Sequence, residues 1–321
     1  VDIGCGMSAV QTNRAASDTG SDEIRDILGA LKSIVPVGFK HHKQNQQWDG
    51  FERAPDLPVI RRELPSARKQ LGTLGGGNHF IELQKGSDGC IWLMLHSGSR
   101  NFGYKIAREY NNQAQDYCKK RYGRRFKYKG GDGLAFLPED SKLFHEYCPA
   151  MDFSLAFAYA NRQLMMKRFK DCAYDVLGCG FTREINIHHN FAASEHHFGR
   201  EVMVHRKGAT RADKGRLGII PGSMGTASYI VQGLGNPESF KSCSHGAGRL
   251  MGRRQFNRTH TAEECNRAMG DIVYDKWMKK KKGADLSEAP QAYKDIHLVI
   301  ESQKDLVEVV TRLEPLGVMK G

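Results

Sequence analysis

Apolar residues recur along this chain with two periods. Ile24, Ile27, Leu28 and Leu31 follow helical spacing behind Ser21, Asp22 and Glu23. That pattern predicts a helix that opens at Ser21 with acidic residues in its first turn and stops before Pro36. The run CIWLMLHSG (90 to 98) is short, continuously apolar and closed by a Gly/Ser turn, which reads as a buried strand. Residues 103 to 122 and roughly 150 to 177 carry helical patterns. REINIHHN and EVMVHRKG read as strands with polar residues at their ends. Thr261 and Glu264 form a capping box that predicts a further helix, to about Lys282. No repeat or low-complexity linker interrupts the order. The pattern predicts mixed helix and strand in one domain.

Composition narrows the class. Charged residues are 26% and hydrophobic residues 40% of 321, which suits a soluble globular protein and excludes a disordered one. No apolar run is of transmembrane length. No signal peptide is visible, but the sequence does not begin with Met, so this absence weighs little. The eight cysteines are scattered without a CxxC pair, which argues against a zinc ribbon and for reduced thiols. The formal charge of +12 suggests a polyanionic partner, with nucleic acid first. Its densest runs are KKRYGRRFKYKGG (119 to 131), GRRQFNR (252 to 258) and KKKK (279 to 282). The first interleaves Tyr122, Phe126 and Tyr128 with cations, a composition suited to stacking plus phosphate contact.

Chemistry gathers at the predicted element ends. Histidines and glycines cluster in GTLGGGNHF, LHSGSRNFG, INIHHN, PGSMGTAS and CSHGAGR, next to residues that permit tight turns. The opening VDIGCGM sets Cys5 between two glycines, which lets the backbone bend and a ligand approach the sulfur. Asp2, Cys5, His79, His96 and His188 or His189 offer oxygen, sulfur and nitrogen donors for a divalent transition metal, manganese included. Singly, each histidine suits an ordinary buried role; together with the thiol they point to a metal site. GTLGGGN is rich in backbone donors for an anion, yet it is no Walker loop, because no GKS or GKT follows. Ser223, Thr226 and Ser228 add hydroxyls, and Ser97, Ser99 and Arg100 add an Arg fork suited to phosphate. His245, followed by Gly-Ala-Gly, is little shielded and could serve as a nucleophile at phosphorus. These residues together describe a metal- and phosphate-handling enzyme, with nucleic acid as its substrate.

VDIGCGM, LGTLGGGNHFIEL, MLHSGSR, EINIHHN, RKGA, GIIPGSMG, SCSHGAGR, AYKDI and the terminal KG occur in the order found in RtcB-type RNA ligases, and the sequence resembles that family along essentially its whole length. The resemblance implies a single α+β catalytic domain over 1–321, with mixed sheets and surrounding helices. It implies a cytoplasmic, manganese- and GTP-dependent ligase of tRNA splicing or RNA repair. Such a ligase joins 2′,3′-cyclic phosphate or 3′-phosphate ends to 5′-hydroxyl ends. Carried over to this sequence, Cys5 would bridge two manganese ions. Asp2 and His79 would complete one, and His96 and His189 the other. His245 would become guanylylated. Asn78, Phe80, Glu82, Ser223, Ser228, Gly246, Ala247, Gly248, Tyr293 and Lys320 would help His245 hold GTP or GMP, and Arg100 would sit near the RNA phosphate. The resemblance further implies a monomer away from membranes, with an archease-type activator as a candidate partner. Alternatives are a catalytically inactive metal-binding subunit of an RNA-processing assembly, or a metal-dependent phosphoesterase. Two departures stand out. The family's upstream Pro-Asp-Val-His stretch is absent from this sequence. His297 also stands where the family usually has an acidic residue, beside Tyr293 of the expected guanine pocket.

Overall fold

In the computed structural model, which describes residues 2–123, 134–275, 277, 279–280 and 283–321, strand β1 (Gly6–Ala15) is followed by helices α1 (Ser21–Ile34) and α2 (Pro58–Gln70). Strands β2 (Phe80–Gly86) and β3 (Cys90–Ser97) form a hairpin that leads into helices α3 (Arg100–Tyr122) and α4 (Lys142–Leu177). Strands β4 (Phe181–His188), β5 (Asn190–His197), β6 (Arg200–Lys207), β7 (Ala209–Arg211), β8 (Leu217–Ile220), β9 (Ser228–Gly233) and β10 (Ser242–Ser244) come next. Short helices α5 (Arg253–Thr259) and α6 (Ala262–Met269) precede strands β11 (Val273–Tyr274), β12 (Lys279–Lys280) and β13 (Gly283–Ala284). Helix α7 (Ile296–Glu301) and strand β14 (Val307–Lys320) complete this α+β fold.

The main sheet has the order β4-β1-β3-β2-β14-β9-β8 and is antiparallel, except that β11 lies parallel against β14. Both faces are buried, which is why β3 reads as a continuous apolar run. Successive strand side chains point to opposite faces. Val10, Ile81, Leu83, Ile91, Leu93 and Leu95 therefore pack with α1 and α4. Met7, Ala9, Phe80, Trp92, Met94, Ile185, Ile187, Ile219 and Ile230 meet across the other, inward-curling face. Phe80 and Glu82 on β2 and His96 on β3 share that inner parity.

Helix α1 begins at Ser21 as expected, and Glu23 Oε2 accepts from Gly20 N at 2.8 Å to close its first turn. Helix α4 begins at Lys142 rather than near 150, capped by Ser141, whose hydroxyl accepts from Phe144 N at 3.2 Å. Helix α6 stops at Met269, well short of Lys282. Gly270 has φ 54°, and the chain leaves the helix to place Val273 and Tyr274 alongside β14. Of the basic runs, GRRQFNR falls largely on α5. The run at 119–131 lies mostly outside the described residues, and the side chains of 279–282 lie outside them too. Among the described residues, no helix is long and apolar enough to cross a membrane.

Candidate metal centre and adjoining cleft

Three segments distant in sequence meet at one end of neighbouring strands of the main sheet. The turn before β1 brings Asp2 and Cys5, the ends of the β2–β3 hairpin bring His79 and His96, and the β4–β5 junction brings His189. Their donor atoms form two groups, each within 4.8 Å: Asp2, Cys5 and His79, and Cys5, His96 and His189. Cys5 belongs to both. Its Sγ lies 3.5 Å from His79 Nε2 and 3.2 Å from His96 Nε2. His96 Nε2 is 2.9 Å from His189 Nε2, and Asp2 Oδ2 is 3.4 Å from His79 Nε2. Of the two adjacent histidines, His189 faces the cluster. His188 Nδ1 turns to Gly4 O at 3.1 Å and Arg162 Nη2 at 3.2 Å.

The surroundings orient these donors. His79 Nδ1 lies 3.0 Å from Leu74 O, and His96 Nδ1 lies 3.1 Å from Asn78 O. A carbonyl can only accept, so His96 Nδ1 carries the proton and its Nε2 turns a lone pair inward, whereas His79 Nδ1 meets both the Leu74 carbonyl and, at 3.3 Å, the Arg100 guanidinium. The glycine-rich loop thus holds two imidazoles through its carbonyls. Gly75, with φ 89°, leaves space for Arg100, because a Cβ there would stand 1.7 Å from Arg100 Nη2. Gly98 does the same for Asp2, whose Oδ1 would be 2.3 Å from a Cβ. The glycines around Cys5 have another purpose than clearing space at sulfur. A Cβ on Gly4 would strike Ala158 of α4 at 2.7 Å, and one on Gly6 would strike Ile187 O at 2.0 Å.

Electrostatics fit a cation here. Burial, and then Asp2, push the Cys5 thiol well above its ordinary pKa, while Arg162 and Arg100 oppose this less strongly. Burial lowers His96, and burial with His245 lowers His189 to about 3, so both imidazoles are neutral donors at pH 7. Asp2 Oδ1 and His189 Nδ1 are buried without a hydrogen-bond partner. A divalent ion would satisfy the carboxylate and stabilise the thiolate.

Two functional residues escaped the sequence reading. Asn161 and Arg162 are wholly buried within α4. Asn161 Nδ2 donates to Thr73 O at 3.2 Å and Gly98 O at 3.1 Å, and its Oδ1 accepts from Gly72 N at 2.7 Å. Arg162 donates to Gly4 O at 2.8 Å, Ser97 O at 3.1 Å and Asn186 Oδ1 at 2.7 Å. Their signal was the polar run Asn161-Arg162-Gln163 inside an otherwise largely apolar helical stretch.

A cleft of about 290 Å³ adjoins the cluster. Asn78, Phe80, Glu82, Ser223, Ser228, His245, Gly246, Ala247, Gly248, Tyr293 and Lys320 all line it, together with His96. The His245 ring lies 4.7 Å from that of His189. Burial lowers the His245 pKa, and a hydrogen bond to the Gly208 backbone opposes the shift. Arg249, Arg253 and Glu288 also line the cleft. Glu288 gathers Tyr293 Oη at 2.5 Å, Arg253 Nε at 3.0 Å and Lys320 Nζ at 3.4 Å. Glu82 is buried, which raises its pKa to about 8 against the opposing charge of Lys320. Lys320 ends β14, an interior strand, in register with Phe80. His297 lies outside the cleft lining and contacts Tyr229 Oη at 2.8 Å through Nδ1.

A buried thiolate-imidazole-carboxylate cluster beside a cation-lined cleft suits a metal-dependent enzyme acting on phosphates. Comparison with known proteins fixes the family. The family described as tRNA-splicing ligase RtcB matches residues 1–321. The RNA-splicing ligase RtcB of Escherichia coli K12 is 36% identical over 345 residues, spanning 100% of this chain and 82% of that protein. The tRNA-splicing ligase RtcB of Methanococcus maripaludis is 30% identical over 398 residues, spanning 100% of this chain and 80% of that protein. The chain belongs to the RtcB family of RNA ligases and is an enzyme.

Proposed function

We propose that the chain is a GTP- and manganese-dependent ligase that joins RNA 2′,3′-cyclic phosphate or 3′-phosphate ends to 5′-hydroxyl ends through a guanylylated His245. The observation that carries this reading is the sharing of Cys5 between two donor groups, one of which reaches His245 through the ring contact with His189. Asp2, Cys5 and His79 would hold one manganese ion, and Cys5, His96 and His189 the other. Bound manganese would supply Lewis-acid stabilisation of charge on phosphoryl oxygens.

The chain's own residues account for the rest. Water opens a cyclic phosphate to a 3′-phosphate. A neutral His245 nitrogen attacks the α-phosphorus of GTP, an N–P bond forms, and pyrophosphate departs. Its depressed pKa keeps that lone pair free at pH 7. GMP then passes to the RNA 3′-phosphate, and the 5′-hydroxyl displaces it. Lys320, Arg249 and Arg253 place positive charge along the cleft, where a triphosphate would lie. Glu82 and Tyr293 offer polar groups to the base. Arg100, buried beside His79 with its Nε unpaired, would meet the RNA phosphate.

The test is incubation with α-labelled GTP and manganese. One acid-labile, base-stable label per chain is expected on His245. His245→Ala should lose the label yet still seal RNA whose 3′ end is already activated with GMP, while His189→Ala should fail at both steps. Phosphate release without protein labelling would instead mark a phosphoesterase, and labelling of His245→Ala at the full level would sink the assignment.

A further inference from the structure

Non-glycine residues with positive φ occur at two places among the described residues. Asp2 and Arg100 are at the metal centre. Phe198 (50°), Phe240 (53°) and Lys241 (49°) form the other group. A bulky side chain in that region is strained, and such strain collects where surrounding structure holds it for a purpose.

Strands β5 and β6 pair from Asn190↔Lys207 to His197↔Arg200, so Phe198 and Gly199 are the two-residue turn of a hairpin. Both have positive φ, as a type I′ turn requires. Asn-Gly is the favoured pair in such a turn; here its first position is Phe. Phe198 is 63% exposed and Phe240 40%, and their rings lie 5.4 Å apart at an interplanar angle of 79°. The corner is fixed from beneath. Arg206 grips Glu195 with both terminal nitrogens, at 2.5 and 3.0 Å, and donates to Phe240 O at 2.9 Å. His197 contacts Glu195 at 2.9 Å, and its ring lies 5.1 Å from that of Phe240. A buried ion pair thus locks the loop that carries Phe240 onto the hairpin that carries Phe198.

Two partly exposed aromatic residues held rigidly edge to face suit a planar apolar ligand. The neighbouring charge indicates which kind. Arg200 and Lys241 stand within two residues of these phenylalanines in sequence and make no ion pair among the described residues, whereas Glu201 is taken by His196 at 3.0 Å. Glu238 is the nearby acid in sequence. Planar rings beside unpaired cations match a nucleobase and its phosphates. The hairpin begins at Asn190, next to His189, and its tip at Phe198 lies eight residues on, about 26 Å of strand at ~3.3 Å per residue. We propose that Phe198 and Phe240 form a stacking platform for an unpaired RNA base several nucleotides from the reacting end, with Arg200 and Lys241 meeting its backbone. This rests on the RNA-ligase reading above and adds a site remote from the cleft.

The turn supplies a discriminating variant. Phe198→Asn relieves the strained position, so it should fold as stably as the parent or more so. Binding is measured by anisotropy with a labelled 20-nucleotide single-stranded RNA bearing a 3′-phosphate, and with a trinucleotide too short to reach the tip. Phe198→Asn should weaken the long RNA about tenfold, within the range for one lost base stack. It should leave the trinucleotide and GTP labelling of His245 unchanged, and Phe198→Trp should restore long-RNA binding. Abasic residues in the long RNA should weaken binding to the parent and leave Phe198→Asn unaffected. Equal affinity of Phe198→Asn and parent for the long RNA would overturn the platform and leave the aromatic pair as a surface for a protein partner. If the parent labels with GTP in that case, the ligase reading stands alone. Absence of both labelling and RNA binding in the parent would overturn both.

Discussion

At the scale of the residue, Cys5 is the pivot, because one sulfur serves two donor groups. Removing an ordinary ligand should weaken one metal position; removing Cys5 should weaken both. Cys5→Ala is expected to bind manganese at less than a tenth of the parent's occupancy, as measured by equilibrium dialysis with metal analysis, and to lose guanylylation. Its far-ultraviolet circular dichroism should be unchanged, since burial of a small apolar side chain is retained. Retention of one full manganese per chain would show that the groups do not share the sulfur. Lys320 carries a second prediction. Its ammonium lies 3.4 Å from Glu288 and 5.6 Å from the Phe80 ring centroid, next to the buried Glu82. Lys320→Met keeps most of the apolar stem and removes the charge. GTP labelling should fall at least tenfold while the sheet persists; unchanged labelling at subsaturating GTP would exclude Lys320 from nucleotide binding. Removal of this cation should also raise the Glu82 pKa further, because its charge is what opposes burial there.

At the scale of the element, α4 ties the ligand-bearing loops together. Asn161 satisfies the turn at Gly72 and Thr73 and the carbonyl of Gly98, while Arg162 satisfies Gly4 O and Ser97 O. Deleting Asn161 removes the partner of the Gly72 and Thr73 amides and the Gly98 carbonyl, and deleting Arg162 removes that of Ser97 O while Gly4 O keeps His188 Nδ1 at 3.1 Å; each buried group left unpaired costs about 1–3 kcal/mol. Asn161→Ala and Arg162→Met should each lower unfolding free energy by roughly 3 kcal/mol in urea titrations. Arg162→Lys should not rescue, since one ammonium cannot reproduce a planar fork. A loss below about 0.5 kcal/mol would show that the clamp is dispensable. Much of this architecture was legible: α1, β3, α3, β4 and β6 follow from periodicity and end signals. The misses have physical causes. Gly270 ends α6 early, because a glycine in the left-handed region terminates a helix whatever charged residues follow it. The place of Lys320 in an interior strand was not legible, because the strand partners of β14 are β2 and β9, far away in sequence. Residue pattern alone left His188 and His189 equivalent, and only the resemblance singled out His189; the β4 register sets His188 against Gly4 and Arg162 and His189 against the cluster. The partners of Asn161 and Arg162 were hidden for the same reason: side-chain type is local, but the carbonyl it meets is not.

At the scale of the molecule, the curled sheet converts sequence distance into proximity. Cys5 and His96 are 91 residues apart, and His96 and His189 are 93 apart, yet their donor atoms lie 3.2 and 2.9 Å from each other. An ion held among them therefore cross-links the turn before β1, the β2–β3 hairpin and the β4–β5 junction. In the unfolded chain those donors are scattered and bind weakly, so binding favours the native state. At a manganese concentration about a hundredfold above the dissociation constant, each site should stabilise the native state by roughly 2.7 kcal/mol. Scanning calorimetry should show a rise in Tm that grows with manganese concentration and reverses with a chelator. Thiolate and imidazole donors disfavour calcium, so calcium at the same concentration should shift Tm little. The shift should also shrink as pH falls, because the ligands must be deprotonated to bind and protons compete for them. An equal shift from calcium, or a manganese shift that survives in both Cys5→Ala and His189→Ala, would place the stabilising ion away from this junction and separate metal binding from the convergence of the three segments.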